Sequence, residues 1–293
     1  MPEMDLFLQQ IANGLIIGST YAVVALGFAL AFSVLRVIHF AHPDVFMVGM
    51  FAGLVTAETF PFGGLALAML GGLIGAGVLG YAIERTVIEP LRGRDVLTTL
   101  IATLGVAIML QNGMALIVGP DPVPYPPLLP RRFLDIGPVS VTVRQAANLG
   151  ICLLLLAFVS IYVRGTRIGR ATRAIAERPD VAAAFGVDVA RVCQATIVVA
   201  SAMAGIAAVS VGTLYGSASA FVGLLYGLKA FTCMLVAGNR YFEGVAAVAI
   251  FLGVLEALVT GYVSSSLRDA VAFLVLIGVL YFRPNGLFGS YQT

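Results

Sequence analysis

The sequence predicts an all-α fold: a polytopic bundle of about nine transmembrane helices, with a range of about eight to ten, and short coupling helices outside the membrane. Of the 293 residues, 60% are hydrophobic and only 11% are charged, whereas soluble domains carry roughly 25% charged residues. The mean hydropathy is +1.00. Apolar runs recur along the whole chain, and most approach the roughly 20 residues that cross a bilayer.

The apolar runs form a single transmembrane domain over residues 1–293. They cover residues 8–33, 45–60, 64–83, 97–118, 146–163, 192–214, 221–237, 244–263 and 270–282. The runs 45–60 and 270–282 are short for a straight span. We therefore expect broken or re-entrant segments there, where other parts of the protein cover the exposed backbone.

The segment VIHFAHPDVF precedes the second run and contains the only two histidines, His39 and His42. Together with Asp44 they are residue types that bind metals. Pro43 interrupts the helix, however, and a closed site would need further ligands. We predict no metal site and instead a helix break near the membrane surface, with Asp44 in the first turn of the next helix.

The arginines predict the orientation, because short cytoplasmic loops collect Lys and Arg. Arg85, Arg92 and Arg94 share one loop, and six arginines share the loop 164–191. These loops are predicted to be cytoplasmic. The Pro-rich loop at about 119–145 and the N-terminus are then outside, and the C-terminus is cytoplasmic.

The loop 164–191, the coupling segment, is predicted to be folded. Arg170–Glu177 are good helix formers, and Pro179 and Asp180 suit the first turn of another helix. Gly186 suits the end of that helix, and Asp188 is a cap for the next one.

Arg170, Arg173 and Glu177 recur at helical spacing and are predicted to share one face of the first short helix. Such a surface could bind another protein. The alternative is a solvated loop whose only role is to satisfy the preference for positively charged residues on the cytoplasmic side of the membrane.

Small residues predict close helix packing, since lipid removes the hydrophobic drive between helices. The pattern GxxxG occurs at Gly14/Gly18, Gly49/Gly53, Gly71/Gly75, Gly212/Gly216 and Gly223/Gly227. Several such pairs are expected by chance in a chain with 33 glycines. The large number of pairs is therefore better evidence for close helix packing than any single pair.

Two charged residues stand out in the interior of apolar runs: Lys229, the only lysine, and Glu256. Charges in a membrane face protein or water, so we expect the two to pair within the bundle. A transport role and a purely structural role, with Lys229 reaching the membrane interface, both remain open.

The sequence predicts no enzyme. It has no phosphate-binding loop of the form GxxxxGK[ST], so the chain is not expected to hydrolyse ATP itself. The segment GSASA, Gly216–Ala220, only partly matches the GxSxG nucleophile turn, and we interpret it as helix packing or a turn.

Five segments, in order, carry a family resemblance. The first contains NGL and GSTYA and includes Asn13, Ser19, Tyr21 and His42, and the third contains RAIAERPDVAAAFGVD. The segments are residues 12–49, 84–112, 169–192, 223–231 and 267–289. Together they resemble the permease subunits of ABC importers for branched-chain amino acids, the LivH type, over nearly the whole chain.

The resemblance implies an ATP-driven importer for branched-chain amino acids or related small polar solutes such as urea or amides. It implies a second homologous permease of the LivM type, two cytoplasmic ABC ATPases, a periplasmic solute-binding protein, surrounding lipid and a bacterial inner membrane, with no nucleic acid. ATP and Mg would be used by the ATPases, and this chain would bind no cofactor. The alternative is a stand-alone gradient-driven transporter or channel, with Glu256 as the candidate carboxylate.

The resemblance also assigns residues. The ATPase-coupling residues would be Arg173, Glu177, Pro179, Asp180, Ala183, Phe185 and Gly186. For an importer of this kind, our own candidates for residues that line the translocation path are Asn13, Ser19, Tyr21, His42 and Lys229. Two departures from the family pattern are AGNRYFEGV at Ala237–Val245, where a glycine-rich turn is usual, and Pro43, where glycine is common.

Overall fold

The structure, a computed structural model, describes residues 2–238 and 242–288. The helices in these ranges are α1 (Pro2–Leu35), α2 (His42–Thr59), α3 (Gly64–Ile83), α4 (Glu89–Leu91), α5 (Val96–Val118), α6 (Val143–Gly165), α7 (Arg167–Glu177), α8 (Pro179–Ala184), α9 (Val189–Tyr215), α10 (Val222–Ala237), α11 (Phe242–Tyr262) and α12 (Arg268–Phe282). A π-helical turn, Glu84–Ile88, joins α3 to α4. The four short strands are β1 (Val123–Pro124), β2 (Phe133–Ile136), β3 (Val139–Thr142) and β4 (Ser217–Ala218).

The predicted polytopic bundle is confirmed. Each of the nine predicted apolar runs falls within a helix, apart from single residues at the run ends, and seven helical stretches in the described ranges are long and apolar enough to cross a membrane. The remaining two runs form α2 and the shorter apolar helix α10.

Helix α1 lies at the centre and packs against α11, α9, α10 and α6. Its contact with α11 is backbone to backbone: a Cβ added to Gly18 would lie 2.7 Å from the Cα of Ile250, and one added to Gly14 would overlap Val254. Gly253 of α11 faces the Gly18 backbone in return. The Gly14/Gly18 pair is therefore a helix interface, because only glycine allows this approach.

A second glycine contact joins α2, α3 and α9. A Cβ on Gly49 would lie 2.6 Å from the Cα of Gly205, and one on Gly72 would lie 2.8 Å from the Gly205 carbonyl oxygen. Gly216, by contrast, is not a packing residue. It ends α9 in the left-handed conformation, with φ 71°, so the predicted turn at GSASA is confirmed.

A helix break precedes α2. Helix α1 ends at Leu35, and Arg36 adopts a positive φ of 56°. The chain then turns back into the bundle, so that the His42 ring contacts Gly27, eight residues before the end of α1 or about 12 Å along its axis. His39, His42 and Asp44 are all buried. The predicted helix break, with Asp44 in the first turn of the next helix, is therefore present, and small residues on α1 such as Gly27 leave room for the chain to turn back against it.

The Pro-rich loop is partly ordered by strands. β2 and β3 form an antiparallel hairpin with Phe133 opposite Thr142, and β1 pairs with β4, with Val123 opposite Ala218. Tyr125 follows β1, and its ring packs against Gly212 in the bundle. Burial raises the pKa of the Tyr125 phenol. The loop thus closes one end of the bundle.

Candidate functional site

The coupling segment folds as the sequence predicts. Thr166 caps α7 by accepting a hydrogen bond from the Gly169 amide at 2.9 Å, and Asp188 caps α9 by accepting one from the Arg191 amide at 3.1 Å. Between them, α8 begins at Pro179, and Gly186 has a positive φ of 84°.

One face of α7 anchors the segment to the bundle. Ile175 is buried, and the Thr172 hydroxyl lies 2.9 Å from the Thr196 hydroxyl of α9. The Arg36 guanidinium donates hydrogen bonds to the carbonyls of Ala176 and Glu177. Because these are the last carbonyls of α7, the cation caps the helix where its dipole is negative.

The opposite face is free within the described part of the chain. Arg173, Glu177, Pro179, Asp180 and Ala183 are exposed. Phe185 is 85% exposed and Val181 39% exposed. The segment therefore presents an apolar tip, formed by Phe185 and Val181, beside basic residues.

Within the bundle, away from the coupling segment, charged side chains from three helices meet. The Lys229 ammonium of α10 lies 3.0 Å from Glu256 Oε2 of α11 and 2.9 Å from Asp269 Oδ1 of α12. Arg268 Nε lies 3.2 Å from the same Glu256 oxygen. The predicted pairing of Lys229 with Glu256 is confirmed.

Tyr21 of α1 completes this charge cluster, which comprises Tyr21, Lys229, Glu256, Arg268 and Asp269. The Lys229 ammonium donates to the Tyr21 hydroxyl at 3.0 Å, and that hydroxyl donates to Glu256 Oε2 at 2.9 Å. Glu256 is fully buried, whereas the Asp269 side chain is 64% exposed. Two cations balance two carboxylates, so the cluster is neutral overall and runs from the bundle interior to its surface.

The other predicted path residues lie elsewhere. The Ser19 hydroxyl donates to the Ile16 carbonyl at 2.8 Å, and Asn13 accepts from Gln9 at 3.3 Å. His42 packs edge-on against Phe28, with ring centroids 5.2 Å apart, and its nitrogens have no partner among the described residues. Of the five candidates, only Tyr21 and Lys229 are brought together.

A cavity of about 80 Å³ lies beside the start of α2. Residues from α1, the link to α2, α2 itself, α5 and α10 line it: Phe28, Phe40, Pro43, Asp44, Leu104, Ala107, Gln111, Leu224, Gly227, Leu228 and Phe231. Gln111 donates to Asp44 Oδ1 at 2.9 Å, and Asp44 Oδ2 has no hydrogen-bond partner among the described residues. The sequence did not predict this position of Asp44, although an acidic residue directly before an apolar run was a usable signal.

The segment that departs from the family pattern is only partly described, since Asn239–Tyr241 lie outside the described residues. The residues on either side of this gap contact residues near the C-terminus. The Leu287 amide donates to the Val236 carbonyl at 2.8 Å, and a Cβ on Gly244 would lie 2.7 Å from the Phe288 ring. The chain near the C-terminus therefore covers the end of α10. Glu243, at the start of α11, forms an ion pair with Arg164 of the coupling segment.

A bundle of membrane-spanning helices with buried ions and a folded loop at one end defines an integral, multi-pass membrane transport protein. The chain belongs to the family described as the permease component of branched-chain amino acid transport systems, whose profile matches residues 10–280.

Relatives match over nearly their whole length. The chain is 34% identical to the high-affinity branched-chain amino acid transport system permease protein LivH of Salmonella typhimurium, over 97% of this chain and 96% of that protein. It is 33% identical to the permease protein BraD of Pseudomonas aeruginosa, over 99% and 98%. Among solved structures, PsaBC from Streptococcus pneumoniae in complex with Fab has a TM-score of 0.51 at 16% identity, covering 95% of this chain and 92% of that one, which is a likeness of fold.

Proposed function

We propose that this chain is the membrane subunit of an ATP-driven importer for branched-chain amino acids. Family membership and the two relatives at 33–34% identity, both branched-chain amino acid permeases, support the substrate class. The observation that carries the mechanism is the coupling segment, with Phe185 exposed at the tip of a folded element that the bundle holds in place.

The segment acts as the docking element for an ATPase. Phe185 and Val181 insert into the ATPase, and Arg173, Glu177 and Asp180 surround them as a polar rim. Closure of the ATPases on ATP then moves α7 and α8. Since Arg36 joins α7 to α1, the movement reaches the central helix of the bundle.

The subunits and the orientation follow from the same proposal. The coupling segment faces the cytoplasm, and the Pro-rich loop and the N-terminus face the periplasm of a bacterial inner membrane. A second permease of the LivM type, two cytoplasmic ATPases and a periplasmic binding protein complete the transporter. ATP and Mg are used by the ATPases, and this chain binds no cofactor.

The gradient-driven alternative fits the charge cluster less well. With Glu256 as its coupling-ion site, this alternative needs the Glu256 carboxylate to be free to bind and release an ion. Glu256 Oε2 already accepts from Lys229, Tyr21 and Arg268. Its charge is therefore compensated within the protein.

Purification of the tagged chain from its own membranes in mild detergent, with mass spectrometry of what remains bound, tests the proposal. Two ATPase copies and a second permease are expected. A protein that stays alone in several detergents would favour the gradient-driven transporter.

A further inference from the structure

We propose that the cavity at Asp44 is a substrate site inside the membrane, where the Asp44 carboxylate binds the ammonium group of the amino acid and the apolar wall holds its side chain. The inference rests on the proposed function and deepens it, because it assigns a recognition point on this chain to the solute in passage.

The first argument is the unpaired carboxylate oxygen. Asp44 is 1% exposed, and its Oδ1 accepts from Gln111 while Oδ2 has no partner among the described residues. None of the ion pairs in the described ranges includes Asp44. A carboxylate in a membrane protein without a compensating partner is costly. A ligand that brings a positive donor removes this cost.

The second argument is the depth of the site. Gln111 and Leu104 lie within the 23-residue helix α5, away from both of its ends, and Gly227 and Leu228 lie in the middle of α10. Helix α2 begins here, with Pro43 against Gly227 at the middle of α10. Solute sites of membrane transporters commonly lie near the midplane beside such interrupted helices.

The third argument is the chemistry of the wall. Beside Asp44 and Gln111 the lining is apolar, with Phe28, Phe40 and Leu228 among its members. The cavity of about 80 Å³ holds several groups the size of water, about five to eight by volume. An ammonium group with a branched hydrocarbon next to it fits this combination, whereas an anionic solute does not.

The amino acid's carboxylate is not bound by the start of α2. His42, Asp44 and Val45 donate their amides to the carbonyls of His39 and Ala41, and Pro43 has no amide hydrogen. No free amide of this first turn is left for an anion. The site thus recognises the positive and apolar parts of the solute only.

Glycine makes the site possible. A Cβ on Gly227 would lie 2.6 Å from Cβ of Pro43, and one on Gly223 would lie 2.9 Å from the Pro43 carbonyl carbon and 3.1 Å from Asp44 Oδ1. α10 can therefore approach the start of α2 closely enough to form one wall. Leu104 of α5 and Leu228 of α10 line the cavity and are themselves 41% and 39% exposed, so both side chains also reach the surface of the bundle.

Cysteine labelling of the purified, assembled transporter tests the site. Leu104→Cys and Leu228→Cys place thiols on the two walls, and Leu225→Cys, on the same helix at a position 55% exposed and outside the cavity, is the matched control. The native Cys152, Cys193 and Cys233 are buried, so the background is low. The probes are leucine, 3-methylbutylamine, which lacks the carboxylate, and 4-methylpentanoate, which lacks the ammonium group.

Leucine and 3-methylbutylamine at about twice their Kd are expected to slow alkylation of a wall cysteine about threefold. 4-Methylpentanoate should have no effect, the Leu225→Cys control should not respond, and Asp44→Asn should abolish the protection. Asp44→Asn keeps a hydrogen-bond acceptor for Gln111. Correct folding of this variant is checked by its size-exclusion elution and by stimulation of the ATPase activity by the binding protein.

Equal protection by 4-methylpentanoate, or none by leucine, would overturn the site. So would wall cysteines that never react, because a path for a polar solute must be reached by water. Leucine uptake by the same complex in proteoliposomes separates the two hypotheses. Uptake without protection rejects the Asp44 site and leaves the proposed function standing, and absence of leucine uptake rejects the proposed function.

Discussion

Arg36 at the end of α1 donates a hydrogen bond from Nη2 to the backbone carbonyl of Glu177 at the end of α7, at 2.8 Å. The two residues are 141 positions apart in the sequence. The contact joins the coupling segment to the helix that also carries Tyr21 of the charge cluster and Gly27 beside His42. α1 is therefore the element through which movement of α7 can reach both the Asp44 cavity and the charge cluster.

Replacing Arg36 by Gln should loosen the coupling segment. The cation at the end of α7 contributes about 0.3 to 1 kcal/mol through the helix dipole and more through its two hydrogen bonds. We expect faster hydrogen exchange of the α7 and α8 amides and reduced ATP-driven uptake. Arg191→Gln is the control, since Arg191 pairs only with the nearby Asp188 among the ion pairs of the described residues. Equal exchange in both variants and in the parent chain would contradict the role of Arg36.

Phe185→Ala should abolish productive docking of the ATPase. A buried aromatic anchor of an interface contributes about 2 kcal/mol or more, equivalent to about 30-fold in affinity. Ala183→Arg should act in the same direction by steric and charge conflict. Uptake and ATPase retention are measured in parallel with membrane insertion, which should be unchanged.

Phe62→Ala is the matched control for that experiment. Phe62 is fully exposed and lies between α2 and α3, at the end of the bundle away from the coupling segment. Normal uptake in the Phe185→Ala and Ala183→Arg variants would contradict the docking proposal.

Lys229→Met should destabilise the bundle strongly. Without Lys229, Arg268 alone faces Glu256 and Asp269, which leaves one negative charge of the cluster uncompensated. Breaking a buried ion pair in this way costs about 3 to 5 kcal/mol, and Glu256 is fully buried. The double variant Lys229→Met, Glu256→Gln should regain part of the lost melting temperature, because both charges are gone. A double variant no more stable than Lys229→Met would show that the broken Lys229–Glu256 pair is not the cause of the lost stability.

Transport by these variants separates the two interpretations of Lys229. A path residue predicts that the stable double variant assembles with its ATPases but imports poorly. A structural residue predicts that import recovers together with the melting temperature.

Two Gly→Ala substitutions should differ in their effect on stability: one should be destabilising and the other neutral or stabilising. Gly18→Ala places a methyl group 2.7 Å from the Ile250 Cα, and overpacking of this kind costs about 1 to 3 kcal/mol or more. A Cβ on Gly105 of α5 meets nothing within 4 Å, so Gly105→Ala should be neutral or stabilising by up to about 1 kcal/mol through helix propensity. The yield of monodisperse protein and its melting temperature in detergent measure both. A stable Gly18→Ala variant would contradict the α1–α11 interface.

Local signals in the sequence predicted much of this structure. Apolar runs located the nine apolar helices of the described ranges, of which seven are long enough to cross a membrane. Pro179, Gly186 and Asp188 predicted the ends of the short helices because capping depends only on neighbouring residues. The pair Lys229 and Glu256 could be predicted because lipid leaves a buried charge few alternatives.

Contacts between distant segments could not be predicted. Gln111 meets Asp44 across 67 positions, and Arg36 meets Glu177 across 141. Arg268 and Asp269 looked like ordinary residues of a helix start, and only the packing of α12 beside α10 brings them to Lys229. The pairing of β1 with β4 joins two-residue strands, which are too short for a periodic pattern.

ATP-dependent uptake of leucine by proteoliposomes that contain the purified complex tests the central claim most directly. The account predicts uptake that requires ATP on the side of the coupling segment, requires the binding protein on the other side, and persists when ionophores collapse ion gradients. Uptake that needs no ATP and stops with the ionophores would contradict it.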